Sequence, residues 1–518
     1  MQALHISGND LTLEDVRQVV YQGRAVLLQP QARQAVEGAR AVVDDLVESE
    51  RVAYAVNTGV GHLVEVRIPH DDIRKLQMNL VRSHSVGVGE PLAEDVTRAL
   101  MLLRANSLAK GFSGVRPVVI DTLCEMVNRR VHPVVPSQGS VGASGDLAPL
   151  AHLALAMIGE GEALYEGQRI PAVQAMKRAD IKPLALQAKE AISLINGTQG
   201  MLAVGTLAVL QAEVLADTAD VIGALTLDAL KGTDAAFDER IHRARPHSGQ
   251  LRVAENLRRL LEGSLIRKSH LDCQKVQDAY SLRCMPQVHG AVRDTLAHCR
   301  RVFEIEMNSA VDNPLVFPEE KKVGAPRRAP GAAAPGVILS GGNFHGEPLA
   351  FALDFLAIAL SALAGISERR LERLVNPALS EGLPPFLAAE AGLNSGFMMA
   401  QVTAAALVNE NKVLSHPASV DSITTSGNKE DYVSMGMTAA NKLLRVVGNT
   451  RNVLAIEALA AAQAVEFRAP LQTSRRGQAA VAAIRAVSPP ITEDRVFAAD
   501  FAKVAALIVE GKLAEALR

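Results

Sequence analysis

The chain has 518 residues, enough for two or three ordinary domains or one large intertwined one. Its 54 Lys and Arg against 56 Asp and Glu leave a formal net charge of −2, so it carries no basic footprint for nucleic acid or an anionic membrane. Hydrophobic residues make up 48% while aromatics make up 3%, with no Trp, so the apolar mass is Ala, Leu and Val, which suits close helix packing better than a β-sandwich.

The opening "MQALHISGNDLTLEDV" has no basic segment followed by an apolar one, so no signal peptide is expected. Two amphipathic helices fit the first forty residues; Thr12 is the expected N-cap of the first, with Glu14 and Asp15 in its opening turn. Residues 54–68, "YAVNTGVGHLVEVRI", interleave β-branched and turn residues and read as a loop or short strand. Pro69 with Asp71 and Asp72 then opens a helix through "IRKLQMNLVRSHS".

Residues 191–212 read as one buried helix with a polar head formed by Ser193, Asn196, Thr198 and Gln199. From about residue 200 onward helical periodicity dominates. The segments beginning "GMLAVGTLAVL", "FALDFLAIALS" and "NKLLRVVGNTR" are apolar around most of their circumference, as helices in the middle of a large bundle are. The charge-free run 355–367 is too short to span a bilayer. Residues 318–336, "PEEKKVGAPRRAPGAAAPG", read as an exposed, mobile loop. Cys124, Cys273, Cys284 and Cys299 are too sparse for a disulfide framework or a metal site. A soluble, cytoplasmic, mainly α protein is expected, with no metal, nucleic-acid or membrane partner.

The chemistry is expected at residues 139–155, "GSVGASGDLAPLAHLAL". Three readings apply. Glycines could precede an ordinary helix start capped by Asp146. The turn could present N–H groups to an anion, although the phosphate-loop spacing and the dinucleotide fingerprint are both absent. Or the backbone could react with itself: the Gly145 nitrogen can attack the Ala143 carbonyl in a tight turn, since glycine has no Cβ. Loss of water from the ring and from Ser144 would leave a methylidene electrophile, which no ordinary side chain supplies.

Ten segments bear on this choice. They are "VNTGVG" (56–61), "SHSVGVGEPL" (83–92), "LINGTQG" (194–200), "VQDAYSLRCMPQVHG" (276–290), "DNPLVF" (312–317), "SGGNFHGEP" (340–348), "SERRLERLVNP" (367–377), "GLNSGFM" (392–398) and "NENKVLSHPASVDSI" (409–423), with the Ala-Ser-Gly stretch itself. Over its whole length the chain resembles the aromatic amino acid ammonia-lyases, most closely those acting on histidine. The resemblance implies a 4-methylidene-imidazol-5-one (MIO) group formed from Ala143, Ser144 and Gly145, with no external cofactor. It also implies a long central helical bundle with a smaller N-terminal domain carrying the MIO loop, divided at 1–205 and 206–518 within one intertwined unit. A homotetramer with shared active sites is expected.

Carried over by motif position, the resemblance makes Tyr54 the base that removes the β-proton, a role that needs a lowered phenol pKa. Asn196 would bind the electrophile or the substrate amine, Gln277 would support the polar network, and Tyr280 would assist proton traffic. Arg283 would hold the substrate carboxylate in its planar fork, and Phe344 would pack against the electrophile. His84 and Glu410 would read the imidazole ring. Taken alone, Asn196 is a helix-start amide, Arg283 a surface ion pair and Glu410 a solvent-facing carboxylate.

The implied reaction is deamination of L-histidine to trans-urocanate and ammonia. Val60, Ala55 and Tyr432 depart from the family's usual Phe, Gly and His, so a tyrosine or phenylalanine lyase, an aminomutase, or a lyase of a modified histidine are the alternatives. An inactive helical scaffold would need none of Tyr54, Asn196, Tyr280 and Arg283.

Overall fold

A computed structural model describes residues 1–49, 53, 56–59, 61–319 and 336–517. It is 60% helical, with 19 α-helices among the described residues, as the Ala- and Leu-rich composition predicts. The chain divides into two compact units. The first comprises Met1–Leu207, Arg300–Leu353 and Ala418–Asn441; the second comprises Ala208–Cys299, Asp354–Pro417 and Lys442–Arg518.

The first unit begins as expected. The Leu13–Gln22 helix has Thr12 as N-cap: the Asp15 N–H donates to the Thr12 hydroxyl and the Thr12 N–H donates to the Asp15 carboxylate, both at 3.1 Å. Such a reciprocal cap contributes about 1 kcal/mol. Gly23 closes the helix in the left-handed conformation. The second helix, Pro30–Glu48, buries Val36, and its Ala39, Val42, Val43 and Leu46 form a cluster with Ile73 and Val316.

The strands Leu4–Ile6 and Val26–Leu28, which pair in parallel, carry no signal in the sequence because three residues are too few to show a period. A single turn at His70–Asp72 leads into Ile73–His84, the helix predicted after Pro69. Leu315–Pro318 pairs with Gly336–Leu339, so the two ends of the expected loop at 318–336 are joined in an antiparallel ladder. Residues 320–335 of that loop lie outside the described residues.

One expectation is corrected. Residues 191–212 are not one helix but two, Glu190–Ile195 and Gln199–Ala229, separated by Asn196, Gly197 and Thr198. Asn196 takes an extended conformation, and a Cβ on Gly197 would overlap the side chains of Arg104 and Gln199. Helical propensity summed along the segment cannot reveal a break imposed by a side chain from another helix.

The second unit consists of helices and short connections, without strands among its described residues. One buried cluster of charges there is paired: Arg370 makes a two-pronged contact with Glu457 at 2.6 and 2.9 Å and donates to His289 at 3.1 Å, and His289 reaches Asp220 at 2.8 Å. Gln199–Ala229 and Glu347–Val375 are long and apolar enough to cross a membrane, and both are mostly buried inside the protein.

Candidate active site

The loop before the Leu147–Met157 helix is held from three sides within the first unit. Gly145 forms a bridge with Gly197, and the Asp146 N–H donates to the Gly197 carbonyl at 2.6 Å. Gly145 has φ +70°, and a Cβ there would overlap the Gly197 carbonyl, so only glycine fits. The Gly142 carbonyl accepts from the Gly346 N–H at 3.1 Å and from the Ser434 hydroxyl at 3.0 Å. The Met435 N–H donates to the Val141 carbonyl at 2.8 Å.

Asp146 stands at the N-cap position of Leu147–Met157, yet its side chain makes no capping bond to that helix. Its carboxylate instead accepts from the Met201 N–H at 2.8 Å, in the first turn of Gln199–Ala229, and from the Ser140 hydroxyl at 2.9 Å. The ordinary-cap reading of Asp146 is therefore replaced: it joins the loop that carries Ala143–Gly145 to a different helix. Complete burial pushes its carboxyl up to about 6, against the hydrogen bonds that favour the anion.

These contacts leave Ala143 and Ser144 lining a cavity of about 750 Å³ together with His84, Asn196, Phe344, Glu430 and Tyr432. The Ser144 hydroxyl donates to Glu430 at 2.7 Å, and the other carboxylate oxygen of Glu430 accepts from Thr425 at 2.9 Å. The Asn196 amide nitrogen donates to the Ser144 carbonyl at 3.3 Å, while its amide oxygen is buried and has no hydrogen-bond partner among the described residues. A buried acceptor without a donor costs about 1–3 kcal/mol, which a bound amine or ammonium would recover.

The His84 Nδ1 lies 2.8 Å from the Leu80 carbonyl, so as a donor there it leaves Nε2 an acceptor. Burial lowers the pKa of His84, partly offset by that bond and by the Glu430 charge. Phe344 is half-buried at the rim, and the neighbouring His345 stacks on Tyr432 with ring centres 6.0 Å apart. The structure thus brings together Ala143, Ser144, Gly145, Asn196, His84 and Phe344 from the expected set. The sequence reading does not include Glu430 and takes Asp146 only as a helix cap. The only available signal for Glu430 was an acidic residue in the polar segment "SGNKEDYVSM", 286 residues from Ser144.

Of the remaining expected residues, Gln277, Tyr280, Arg283 and Glu410 belong to the second unit. Asp278 is buried and accepts from the Thr233 N–H at 2.6 Å, which anchors the segment and leaves Gln277 exposed and Tyr280 71% exposed. The Arg283 guanidinium lies 4.5 Å from the centre of the Tyr280 ring, a cation–π contact, and its Nε is buried without a hydrogen-bond partner among the described residues. Glu410 forms an ion pair with Arg445 and accepts from Asn449 at 2.7 Å. The Asn449 bond and the Arg445 charge hold its carboxyl below the usual range, and its side chain is 39% exposed. Tyr54, Ala55 and Val60 lie outside the described residues.

The profile of the aromatic amino acid lyase family matches residues 11–486. The histidine ammonia-lyase of Koribacter versatilis (strain Ellin345) is 73% identical over 518 residues, covering 100% of both chains. Among solved structures, histidine ammonia-lyase from Trypanosoma cruzi superimposes with a TM-score of 0.89 at 41% identity, covering 100% of this chain and 95% of that one. Tyrosine aminomutase from Streptomyces globisporus gives 0.91 at 39% identity, covering 99% and 98%.

Proposed function

The chain belongs to the aromatic amino acid lyase family, and from that premise we propose that it removes ammonia from L-histidine to give trans-urocanate. The observation that carries this reading is the setting of Ser144. Its side chain lines the cavity beside the Glu430 carboxylate and Asn196, on a turn joined through Gly145 to Gly197.

The loop fits an internally formed MIO group. Gly145 lacks the Cβ that would prevent its close approach, and the Ser144 carbonyl, which remains as the ring carbonyl, already accepts from Asn196. Ring formation joins the Gly145 nitrogen to the Ala143 carbonyl carbon. Two waters leave, one with the former Ala143 oxygen and one with the Ser144 hydroxyl and its Cα hydrogen. The group supplies an electrophilic carbon that turns the substrate amine into a leaving group.

The other roles are those that the family resemblance implies. Tyr54 takes the β-proton. The unpaired amide oxygen of Asn196 suits the substrate ammonium. Arg283, with its stacked guanidinium and unpaired Nε, suits the carboxylate, with Gln277 and Tyr280 beside it in sequence. Phe344 packs at the cavity wall, and a neutral His84 offers a ring nitrogen to the substrate.

A buried imidazole needs an acceptor for its N–H. Sequence position favours Glu410; the carboxylates that line the cavity are Glu430 and Asp431, and we assign the ring-reading role to Glu430, which is the one that meets Ser144. The exposed Gln277 and Tyr280 support a homotetramer in which one chain completes the site of another. A cytoplasmic location accords with the small amino-acid substrate.

Ultraviolet absorbance of acrylate products from a panel of amino acids tests the substrate, and amine analysis of the same mixtures detects any β-amino acid formed by an aminomutase. Histidine should be the preferred substrate. Ser144→Ala should abolish turnover while the protein stays folded, and the wild-type loop peptide should weigh two waters less than its sequence. An unmodified loop in active enzyme would remove the internal electrophile from the mechanism.

A further inference from the structure

We infer that Arg104 is a positioning residue for closure of the reactive loop, acting through the break between the Glu190–Ile195 and Gln199–Ala229 helices. The inference rests on the internally formed electrophile proposed above.

Arg104 is completely buried in the Glu94–Ala109 helix. One arm of its guanidinium donates to the carbonyl of Ser193, in the helix before the break. The other donates at 2.8 Å to the side chain of Gln199, the first residue of the helix after it. A single rigid fork therefore spans Asn196, Gly197 and Thr198. Gly197 lies directly against it, since a Cβ there would overlap the Arg104 guanidinium. Gly197 also meets the reactive loop, through the bridge to Gly145 and the 2.6 Å bond from the Asp146 N–H. Arg104 thus sets the register of the peptide against which the Gly145–Asp146 peptide rests, and of Asn196, which donates to the Ser144 carbonyl.

Stability alone does not account for this cation. Its Nε is buried without a hydrogen-bond partner among the described residues. Lys189, also fully buried, shares with it the nearby carboxylate of Asp312, 3.7 Å from the Lys189 amine. Two buried cations beside one carboxylate are costly to desolvate, so the cluster is weak evidence for a purely stabilising role. What an apolar chain cannot do is hold two acceptors in fixed register, and a lysine, as a point charge, does so poorly. Cyclisation demands that register, because a unimolecular attack is fast only from a near-attack geometry.

The test is peptide mass spectrometry on full-length Arg104→Lys, Arg104→Met and Gln199→Leu proteins, scoring the fraction of loop that has lost two waters, with thermal melts to verify folding. Ile120→Ala, a buried change elsewhere in the same unit, controls for general destabilisation. Wild type and Ile120→Ala should be fully converted, whereas Arg104→Lys and Gln199→Leu should convert below about half of their chains. Full conversion in folded Arg104→Lys and Gln199→Leu would overturn the role of Arg104 while leaving the electrophile in place. Incomplete conversion in Ile120→Ala to the same degree would reduce Arg104 to a stability residue. Should Arg104→Met fail to fold, the two milder variants decide the matter. An unconverted, active wild type would instead remove the electrophile itself, and this inference with it.

Discussion

Glu430→Gln is the most informative single change, because it keeps the shape of the side chain and removes its charge. In the structure one carboxylate oxygen accepts from Ser144 at 2.7 Å and the other from Thr425 at 2.9 Å, inside the cavity that also holds Asn196 and His84. The Thr425 bond survives an amide, since the amide oxygen can still accept. What is lost is a charged acceptor for the imidazole N–H, and hydrogen bonds to charged groups contribute about 1.5–3 kcal/mol. At about 1.4 kcal/mol per decade, kcat/KM for histidine should fall roughly ten- to hundred-fold. Activity toward tyrosine or phenylalanine, whose rings offer no such N–H, should fall much less. Glu410→Gln is the comparison, because its carboxylate is already engaged by Arg445 and Asn449. Steady-state kinetics on histidine and tyrosine for the three proteins give the ratios. If Glu410→Gln shifts the histidine-to-tyrosine ratio and Glu430→Gln does not, Glu410 reads the ring and the cavity assignment is wrong.

Arg283→Lys should lower kcat/KM by roughly 2–5 kcal/mol equivalent if the carboxylate is bound in a desolvated site; unchanged kinetics would take Arg283 out of that role. Mixing inactive Tyr54→Phe and Arg283→Ala proteins under conditions of demonstrated subunit exchange should restore part of the activity, and no recovery would place each site within one chain. Asp146 has a folded-state carboxyl near about 6 against an ordinary 3.8, so between those values the folded protein holds a proton that the unfolded chain has released. Its contribution to stability is therefore complete below the unfolded value and is lost as pH rises through about 6, by roughly 3 kcal/mol at 1.36 kcal/mol per unit. Relative to Asp146→Asn, wild type should lose stability in denaturant melts from pH 4 to pH 7; parallel curves would mean that Asp146 titrates normally.

The sequence by itself determined what repeats along the chain or is written in contiguous letters. The capping box at Thr12, the helix after Pro69 and the long apolar helices follow from local spacing, because helix caps and amphipathic periods join residues three or four apart. The Ala-Ser-Gly tripeptide and the family motifs are contiguous too, and they sufficed to identify the family.

What tertiary structure decided were the contacts between distant segments. The helix expected at residues 191–212 breaks because Arg104, about ninety positions away, occupies the space beside Gly197. Asp146 looks like a local cap but bonds to Met201, since its partner is chosen by packing rather than by spacing. Of Glu410 and Glu430, the motif around Glu410 was the more legible in the sequence. Glu430 reaches Ser144 only because the chain returns to the first unit at residues 418–441. A hydrogen bond is decided by a few ångströms in space, and sequence separation places no bound on that distance once the chain has folded back.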